Sequence, residues 1–133
     1  MKINKNESVE PSEIENLREA VGWDRSENTY DKILSKLYSY YTCRNDNYLT
    51  GYLSVLSDGI SDAFLIDLMV HPKYQNQNVG FQIVRKAIND LKNEGIKCIQ
   101  VTFNPELEKF YKKCGFHIFK GGIIDFKNMD IDS

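Results

Sequence analysis

The sequence contains few cysteines, and their arrangement serves no obvious structural purpose. Only three occur among 133 residues, at Cys43, Cys98 and Cys114. Their number is odd, and none belongs to a CxxC pair or a Cys/His ligand set, which argues against a disulfide framework and against a zinc site. We therefore expect free, mostly buried thiols and no bound metal.

Long apolar runs and an excess of positive charge are also missing. No apolar stretch approaches the ~20 residues that cross a bilayer, and residues 1–5 lead into no signal-peptide core. We expect a cytoplasmic protein without a membrane partner. The formal net charge of -2 provides no basic field for a phosphate backbone, so nucleic acid is not an expected partner.

Nothing in the chain marks a boundary between domains. There is no internal repeat, low-complexity tract or linker rich in proline, glycine and serine. A composition of 41% hydrophobic and 27% charged residues is ordinary for a folded protein, and the length suits one hydrophobic core. The prediction is a single domain over residues 1–133.

Two helices are predicted in the first third of the chain. The first begins near Pro11, with Ser12 as its cap and Glu15 in the capping-box position, and Gly22 ends it. The second is capped by Asn28 and continues with apolar residues at helical spacing. The start of the chain is therefore rich in helix.

Strand patterns follow, alternating with two further helices. A nearly continuous apolar run over residues 63–70 predicts a central strand covered on both faces. Helical spacing over residues 79–91 and a helix opened by Pro105 supply the other helices. The predicted strands are residues 2–6, 41–44, 48–56, 63–70, 98–103, 116–119 and 123–126.

The segment between the central strand and the third helix suggests phosphate binding. Residues 71–80 form a polar turn that leads into an amphipathic helix, and backbone N–H groups at a helix N-terminus bind anions without basic side chains. Asn78 and Gly80 tolerate the left-handed backbone conformation that such a cradle requires. An ordinary connection between strand and helix is the alternative interpretation.

Two segments of this sequence have the form of known motifs. Residues 75–80 are QNQNVG, preceded by VHPKY, and residues 104–116 are NPELEKFYKKCGF. The first is similar to the pyrophosphate loop Q/R-x-x-G-x-G/A, and the second to the segment N-x-x-A-x-x-x-Y-x-x-x-G-F, of the GNAT superfamily of N-acetyltransferases. The chain departs from the pattern at Asn76 and Asn78, where the superfamily usually has glycine. Asparagine is the best substitute for glycine in a left-handed turn, so we expect the loop to close.

The resemblance implies a fold, a cofactor and a set of cofactor-binding residues. The fold would be an α/β (α+β) GNAT-like single domain, in which about four helices flank a mixed, mostly antiparallel central sheet of six to seven strands. The cofactor would be acetyl-CoA. Backbone groups of the central strand would bind the pantetheine arm, and the turn would bind the pyrophosphate. The residues concerned are Leu68, Met69, Val70, Gln75, Asn76, Gln77, Asn78, Val79, Gly80, Phe81, Asn104 and Tyr111.

The resemblance also nominates catalytic residues, each with an alternative role. Tyr111 matches the motif tyrosine and would stabilise or protonate the departing thiolate, or it packs in the core. Asp67 lies in an apolar strand, where an unpaired carboxylate is costly, so it either serves the acceptor amine or satisfies a structural donor. Asn104 would bind cofactor or acceptor, or cap a helix. His71 is a weaker candidate for the base, and covalent catalysis by Cys114 is not expected.

The predicted function is acetyl transfer from acetyl-CoA directly to a primary amine of a small molecule or a protein. A non-catalytic acyl-CoA-binding or sensor module is the alternative, and a purely structural protein on the same sheet is a third. The resemblance leaves a homodimer open. Acidic and aromatic residues of the N-terminal helices would suit a cationic acceptor or serve packing alone. These residues are Tyr30, Asp31, Tyr38, Tyr40 and Tyr41.

Overall fold

One five-stranded sheet organises the first part of the chain in the computed structural model, which describes residues 1–26 and 29–128. Spatial order follows chain order, and every neighbouring pair is antiparallel except the last, which is parallel. The strands are β1 (Lys2–Lys5), β2 (Ser39–Asn45), β3 (Tyr48–Ser57), β4 (Asp62–Val70) and β5 (Cys98–Val101). The mixed, mostly antiparallel α/β architecture is therefore confirmed.

Four helices accompany the sheet in the described residues: α1 (Pro11–Ala20), α2 (Tyr30–Lys36), α3 (Val79–Asn93) and α4 (Glu108–Cys114). Helix α3 connects β4 to β5, because parallel neighbours need a long crossover. This helix is strongly amphipathic, and the apolar stripe that predicted it is buried.

The sheet is covered on both faces. One core cluster joins α1 and α2 to β3 and β4, and its members are Ile14, Leu17, Tyr30, Leu49, Tyr52 and Met69. Adjacent strand residues point to opposite faces, so Gly51 faces the other layer. A Cβ atom at Gly51 would lie 2.7 Å from the Cδ1 atom of Ile83 in α3. Glycine is therefore what allows α3 to lie close to β3.

The chain divides into two compact units, residues 1–101 and 102–133. The first unit contains the sheet with α1, α2 and α3. The second contains a 3₁₀ turn, Pro105–Leu107, followed by α4, which ends at Gly115 in the left-handed conformation. The single domain over residues 1–133 stays a prediction.

The two strands predicted after α4 are absent from the described residues. Residues 116–126 form neither helix nor strand, so the predicted six to seven strands are not confirmed. Apolar β-forming residues make a strand only when a partner edge is available for pairing. Here large apolar side chains of the segment are exposed, including Ile118, Phe119, Ile123, Ile124 and Phe126.

The predicted start of α1 near Pro11 is confirmed, but its predicted cap, Ser12, was wrong by two residues. The helix begins at Pro11, so Glu10 precedes its first turn, and the Glu13 carboxylate accepts a hydrogen bond from the Glu10 backbone at 3.0 Å. Proline favours the first helical position, where its missing N–H costs nothing, and this places Ser12 inside the helix. The predicted cap of the second helix, Asn28, lies outside the described residues.

The predicted strands over residues 41–44 and 48–56 are confirmed as β2 and β3, which form a hairpin whose turn contains Asp46 at φ 55°. The central strand is less covered than predicted, because Ile66 is 38% exposed although its neighbour Leu65 is buried.

All three cysteines are free, and Cys98 is exposed. No helix in the described ranges has the length and apolar character needed to cross a bilayer.

Candidate active site

Strand β4 extends beyond the end of β5. All four residues of β5 pair with residues 62–65 of β4, whereas the pairing of β4 with β3 continues to Val70. Within the described parts of the chain, no strand pairs with the β5-facing edge of residues 66–70. Such an edge presents backbone N–H and C=O groups that an extended ligand can pair with, as an added strand would. The predicted ligands Leu68, Met69 and Val70 all lie on this edge.

A β-bulge interrupts β4 at the start of this open edge. Ile66 pairs with Ser54 and Met69 with Tyr52, so two residues, Asp67 and Leu68, lie opposite one residue of β3. Asp67 has φ 60°, in the left-handed region that aspartate tolerates better than β-branched residues do. A bulge re-aims side chains, so alternation does not decide where Asp67 points.

The Asp67 carboxylate is held by a buried tyrosine. The Tyr30 hydroxyl donates a hydrogen bond to Oδ2 of Asp67 at 2.8 Å, and it accepts one from Nη1 of Arg18 at 3.3 Å. Tyr30 is 1% exposed. Burial, reinforced by the nearby charge of Asp67, holds the pKa of Tyr30 well above its usual range. The proton therefore stays on Tyr30 and points at Asp67.

The turn after β4 contains two left-handed residues. Asn76 and Asn78 have φ values of 64° and 65°. The side chain of Gln75 reaches back and donates a hydrogen bond to the Val70 carbonyl at 2.9 Å, which ties the turn to the end of β4. Left-handed residues interspersed in a turn bring successive N–H groups into one concave, anion-binding surface.

Helix α3 begins directly behind this turn. The Gln82 N–H donates to the Asn78 carbonyl at 3.0 Å, which closes the first turn of the helix. The N–H groups of Val79 and Gly80 therefore lie at the positive end of the helix dipole. Together the turn and the helix start have the backbone geometry and polarity that suit a pyrophosphate group.

His71 has a structural role. Its Nδ1 atom accepts a hydrogen bond from the Lys73 N–H at 3.1 Å, and its ring meets those of Tyr48 and Tyr74 edge-on at 5.9 and 6.1 Å. This local hydrogen bond engages Nδ1, which does not favour His71 as the general base.

The second unit contains the other predicted site residues. Tyr111 is 5% exposed and stacks on Phe103 with ring centroids 4.6 Å apart. Burial, with a smaller contribution from Cys114, raises the pKa of Tyr111 to about 12. Asn104 is exposed, its side chain makes no capping hydrogen bond, and its carbonyl accepts from the Leu107 N–H at 2.9 Å. Asn104 thus stands at the N-cap position of the 3₁₀ turn, but its side chain does not cap the turn.

The structure brings together part of the predicted site and adds residues to it. Residues 67–70 and 75–81 follow one another along β4, the turn and α3, whereas Asn104 and Tyr111 belong to the second unit. Sequence reasoning missed the bulge and Arg18, and it treated Tyr30 only as one of several aromatic residues. The one available signal was the aspartate in an apolar strand, because aspartate suits both a bulge and a buried donor.

Comparisons with known proteins agree with this geometry. The family model described as the acetyltransferase (GNAT) family matches residues 7–116. An uncharacterized N-acetyltransferase, ycf52, of Gracilaria tenuistipitata var. liui is 28% identical over 116 residues, which cover 84% of this chain and 64% of that protein. The chain thus spans just under two thirds of the length of that relative.

Solved structures share the fold over nearly the whole chain. A GNAT family acetyltransferase of Streptococcus pneumoniae is 26% identical, with a TM-score of 0.76 and coverage of 96% of this chain and 98% of its own. The ribosomal-protein-S18-alanine N-acetyltransferase of Escherichia coli is 17% identical, with a TM-score of 0.77 and coverage of 90% and 79%. With the family model matching most of its length, this chain belongs to the GNAT acetyltransferase family.

Proposed function

We propose that this protein transfers the acetyl group of acetyl-CoA directly to a primary amine of a small molecule or a protein. The observation that carries the proposal is the continuity of the open β4 edge, the turn with two left-handed asparagines and the N-terminus of α3. The extended pantetheine arm of acetyl-CoA would need the open edge, and its pyrophosphate would need the turn and the helix N-terminus that follow. Family membership supplies the reaction class.

The cofactor would be bound mainly by backbone groups. Leu68, Met69 and Val70 would pair with the pantetheine arm along the open edge. The pyrophosphate would lie against the turn and the first helical turn, which comprise Gln75, Asn76, Gln77, Asn78, Val79, Gly80 and Phe81. Asn104 has an exposed side chain that would complete the cofactor or acceptor contacts.

Tyr111 would act on the leaving group. In the transfer, the amine nitrogen forms a bond to the thioester carbon, the carbon–sulfur bond breaks, and the sulfur takes up charge. A phenol whose pKa is about 12 stays protonated at neutral pH and can donate a hydrogen bond to that sulfur. Because a thiol has an ordinary pKa of about 8.5, hydrogen-bond donation is favoured over complete proton transfer from the phenol.

Asp67 would act on the acceptor. Its carboxylate lies at the bulge where the open edge begins, and it is only half buried. A carboxylate in that position would bind the ammonium form of the amine and accept its proton through water before attack.

The free thiols of Cys43, Cys98 and Cys114 suit a reducing compartment such as the cytoplasm.

Calorimetric titration of acetyl-CoA tests the cofactor site. Gly80→Trp should abolish binding, since a large side chain in the first turn of α3 would occupy the anion site. Lys92→Trp is the matched control, because Lys92 is exposed in the last turn of the same helix and should leave affinity unchanged. Equal binding by both variants would contradict the proposed site.

A free-thiol assay with a panel of primary amines then tests transfer. The panel comprises putrescine, glucosamine, Nα-acetyl-lysine amide and a peptide that begins with alanine. Release of coenzyme A that depends on one of these amines supports catalysis. Tight binding of acetyl-CoA without release of coenzyme A in the presence of any of these amines would favour the non-catalytic module instead.

A further inference from the structure

We infer that Tyr30 is a positioning residue of the acceptor site, which orients the Asp67 carboxylate so that its second oxygen receives the amine as an ammonium ion. Arg18 assists by donating a hydrogen bond to the Tyr30 hydroxyl. The inference rests on the proposed function, and it concerns residues that neither GNAT motif of this sequence contains. Three elements meet at this point: α1 through Arg18, α2 through Tyr30 and the bulge of β4 through Asp67.

The chemistry of the three side chains fixes the direction of the hydrogen bonds. A guanidinium group can only donate, so the Tyr30 oxygen accepts from Arg18 at 3.3 Å. The single hydroxyl hydrogen of Tyr30 must then point at Oδ2 of Asp67, 2.8 Å away. Oδ2 is therefore the oxygen of Asp67 that is occupied by Tyr30.

The partners of Asp67 leave one of its oxygens for a ligand. Across residues 1–26 and 29–128, the hydrogen bond from Tyr30 goes to Oδ2, and no side chain or backbone group donates to Oδ1. The residue is half buried and stands at the start of the open β4 edge. An ammonium group would give Oδ1 a charge-assisted partner, which a neutral amide could not do.

The elements around the carboxylate hold this arrangement in place. The Arg18 guanidinium lies over the Trp23 ring at 5.3 Å and donates from Nε to the Asp24 carbonyl at 2.9 Å. The Tyr30 ring meets Tyr52 of β3 edge-on at 6.0 Å. Among the described residues, Tyr30 and Tyr52 interact electrostatically with Asp67, and Arg18 brings a positive charge to the far side of Tyr30.

The test separates acceptor binding from cofactor binding. Tyr30→Phe removes the hydroxyl and keeps the ring against Tyr52. With the best amine of the panel, we expect its KM to rise about tenfold, as for the loss of one hydrogen bond to a charged group, while the acetyl-CoA dissociation constant stays within about twofold. Asp67→Asn should raise the same KM, and asparagine retains tolerance for the left-handed backbone.

A double-mutant cycle distinguishes positioning from a merely structural role. If Tyr30 acts through the carboxylate, adding Tyr30→Phe to Asp67→Asn should cause no further rise in KM. Tyr41 lies in β2 and not in one of the N-terminal helices, and its hydroxyl donates a hydrogen bond of 2.8 Å to the Asp90 carboxylate of α3, which assigns it to packing between β2 and α3. Tyr41→Phe is therefore the matched control, since it removes a comparable hydrogen bond from a buried tyrosine. It should lower thermal stability without changing the amine KM.

Two outcomes would overturn the inference. The first is an unchanged amine KM in Tyr30→Phe, and the second is a full additive effect in the double mutant. A wild-type protein that acetylates none of the amines, whether or not it binds acetyl-CoA, would instead overturn the proposed function.

Discussion

At the scale of single residues, Tyr111 combines two roles that were opposed as alternatives. It is a packed aromatic residue, stacked on Phe103 and met edge-on by Phe110 and Phe116. The same packing removes water from the phenol and raises its pKa to about 12. An ordinary phenol is already protonated at neutral pH, and burial holds this proton more firmly, so the packed position is compatible with the proposed hydrogen-bond donation.

Tyr111→Phe should lower kcat by about a hundredfold and leave acetyl-CoA affinity within about twofold. The reason is that a positioned hydrogen-bond donor to the leaving group is worth roughly 10²-fold or more, while the ring that packs on Phe103 is retained. Steady-state kinetics by the free-thiol assay and a thermal melt measure the two effects. A wild-type kcat in this variant would assign Tyr111 to packing alone.

At the scale of elements, the turn between β4 and α3 shows how asparagine can serve in place of glycine. Glycine enters left-handed conformations without steric penalty, and asparagine does so at a smaller cost than other residues. Both Asn76 and Asn78 have positive φ, so the turn closes without the usual glycines. Backbone conformation, and not side-chain identity, is what this element supplies.

Two substitutions at Asn78 separate backbone conformation from side-chain chemistry. Asn78→Gly should keep acetyl-CoA affinity within about threefold, because glycine adopts φ near 65° freely. Asn78→Val should weaken binding at least about tenfold, since a β-branched residue pays of order 1–3 kcal/mol there. Calorimetry measures the acetyl-CoA affinity of both variants. An equal loss of affinity in both would show that the asparagine side chain itself binds the cofactor.

At the scale of the whole molecule, buried tyrosines tie the layers of the fold to carboxylates and to one another. Tyr30 joins α2 to β4, Tyr41 joins β2 to Asp90 of α3, and Tyr52 lies in the core between them. Burial holds the pKa of each of these three phenols far above its usual range. Their protonation is thus coupled to folding.

The free energy of unfolding should fall as pH rises above about 10. In the folded state these phenols hold their protons more tightly than in the unfolded chain, where the ordinary pKa is about 10. Their contribution to the free energy of unfolding is complete below that pH. It is lost as the pH rises towards the higher pKa values of the folded state, by at most about 1.4 kcal/mol per pH unit for each group. Urea unfolding at pH 8.5 and 10.5 measures the loss.

Tyr41→Phe provides the control for this pH effect. The variant lacks one of the titrating phenols, so its stability should change less between the two pH values than that of the wild-type protein. An unfolding midpoint that does not move between pH 8.5 and 10.5 would contradict the coupling.

Much of the fold could be predicted because its elements carry local signals. The amphipathic stripe of α3 and the Asp46 turn of the hairpin are fixed by residues near in sequence. The end of the chain was mispredicted for the opposite reason. Residues 116–126 have the composition of strands, but strand formation depends on a partner edge that composition does not encode.

The candidate site divides in the same way between sequence and tertiary structure. From sequence alone, the two motifs identified the family and the turn that contains Asn76 and Asn78. The hydrophobic periodicity identified the helix after the central strand. These features were predictable because they depend on neighbouring residues. The bulge at Asp67 and its hydrogen bond from Tyr30 were decided only by the tertiary structure. They depend on register between strands and on contact between residues 37 positions apart, which no local pattern records.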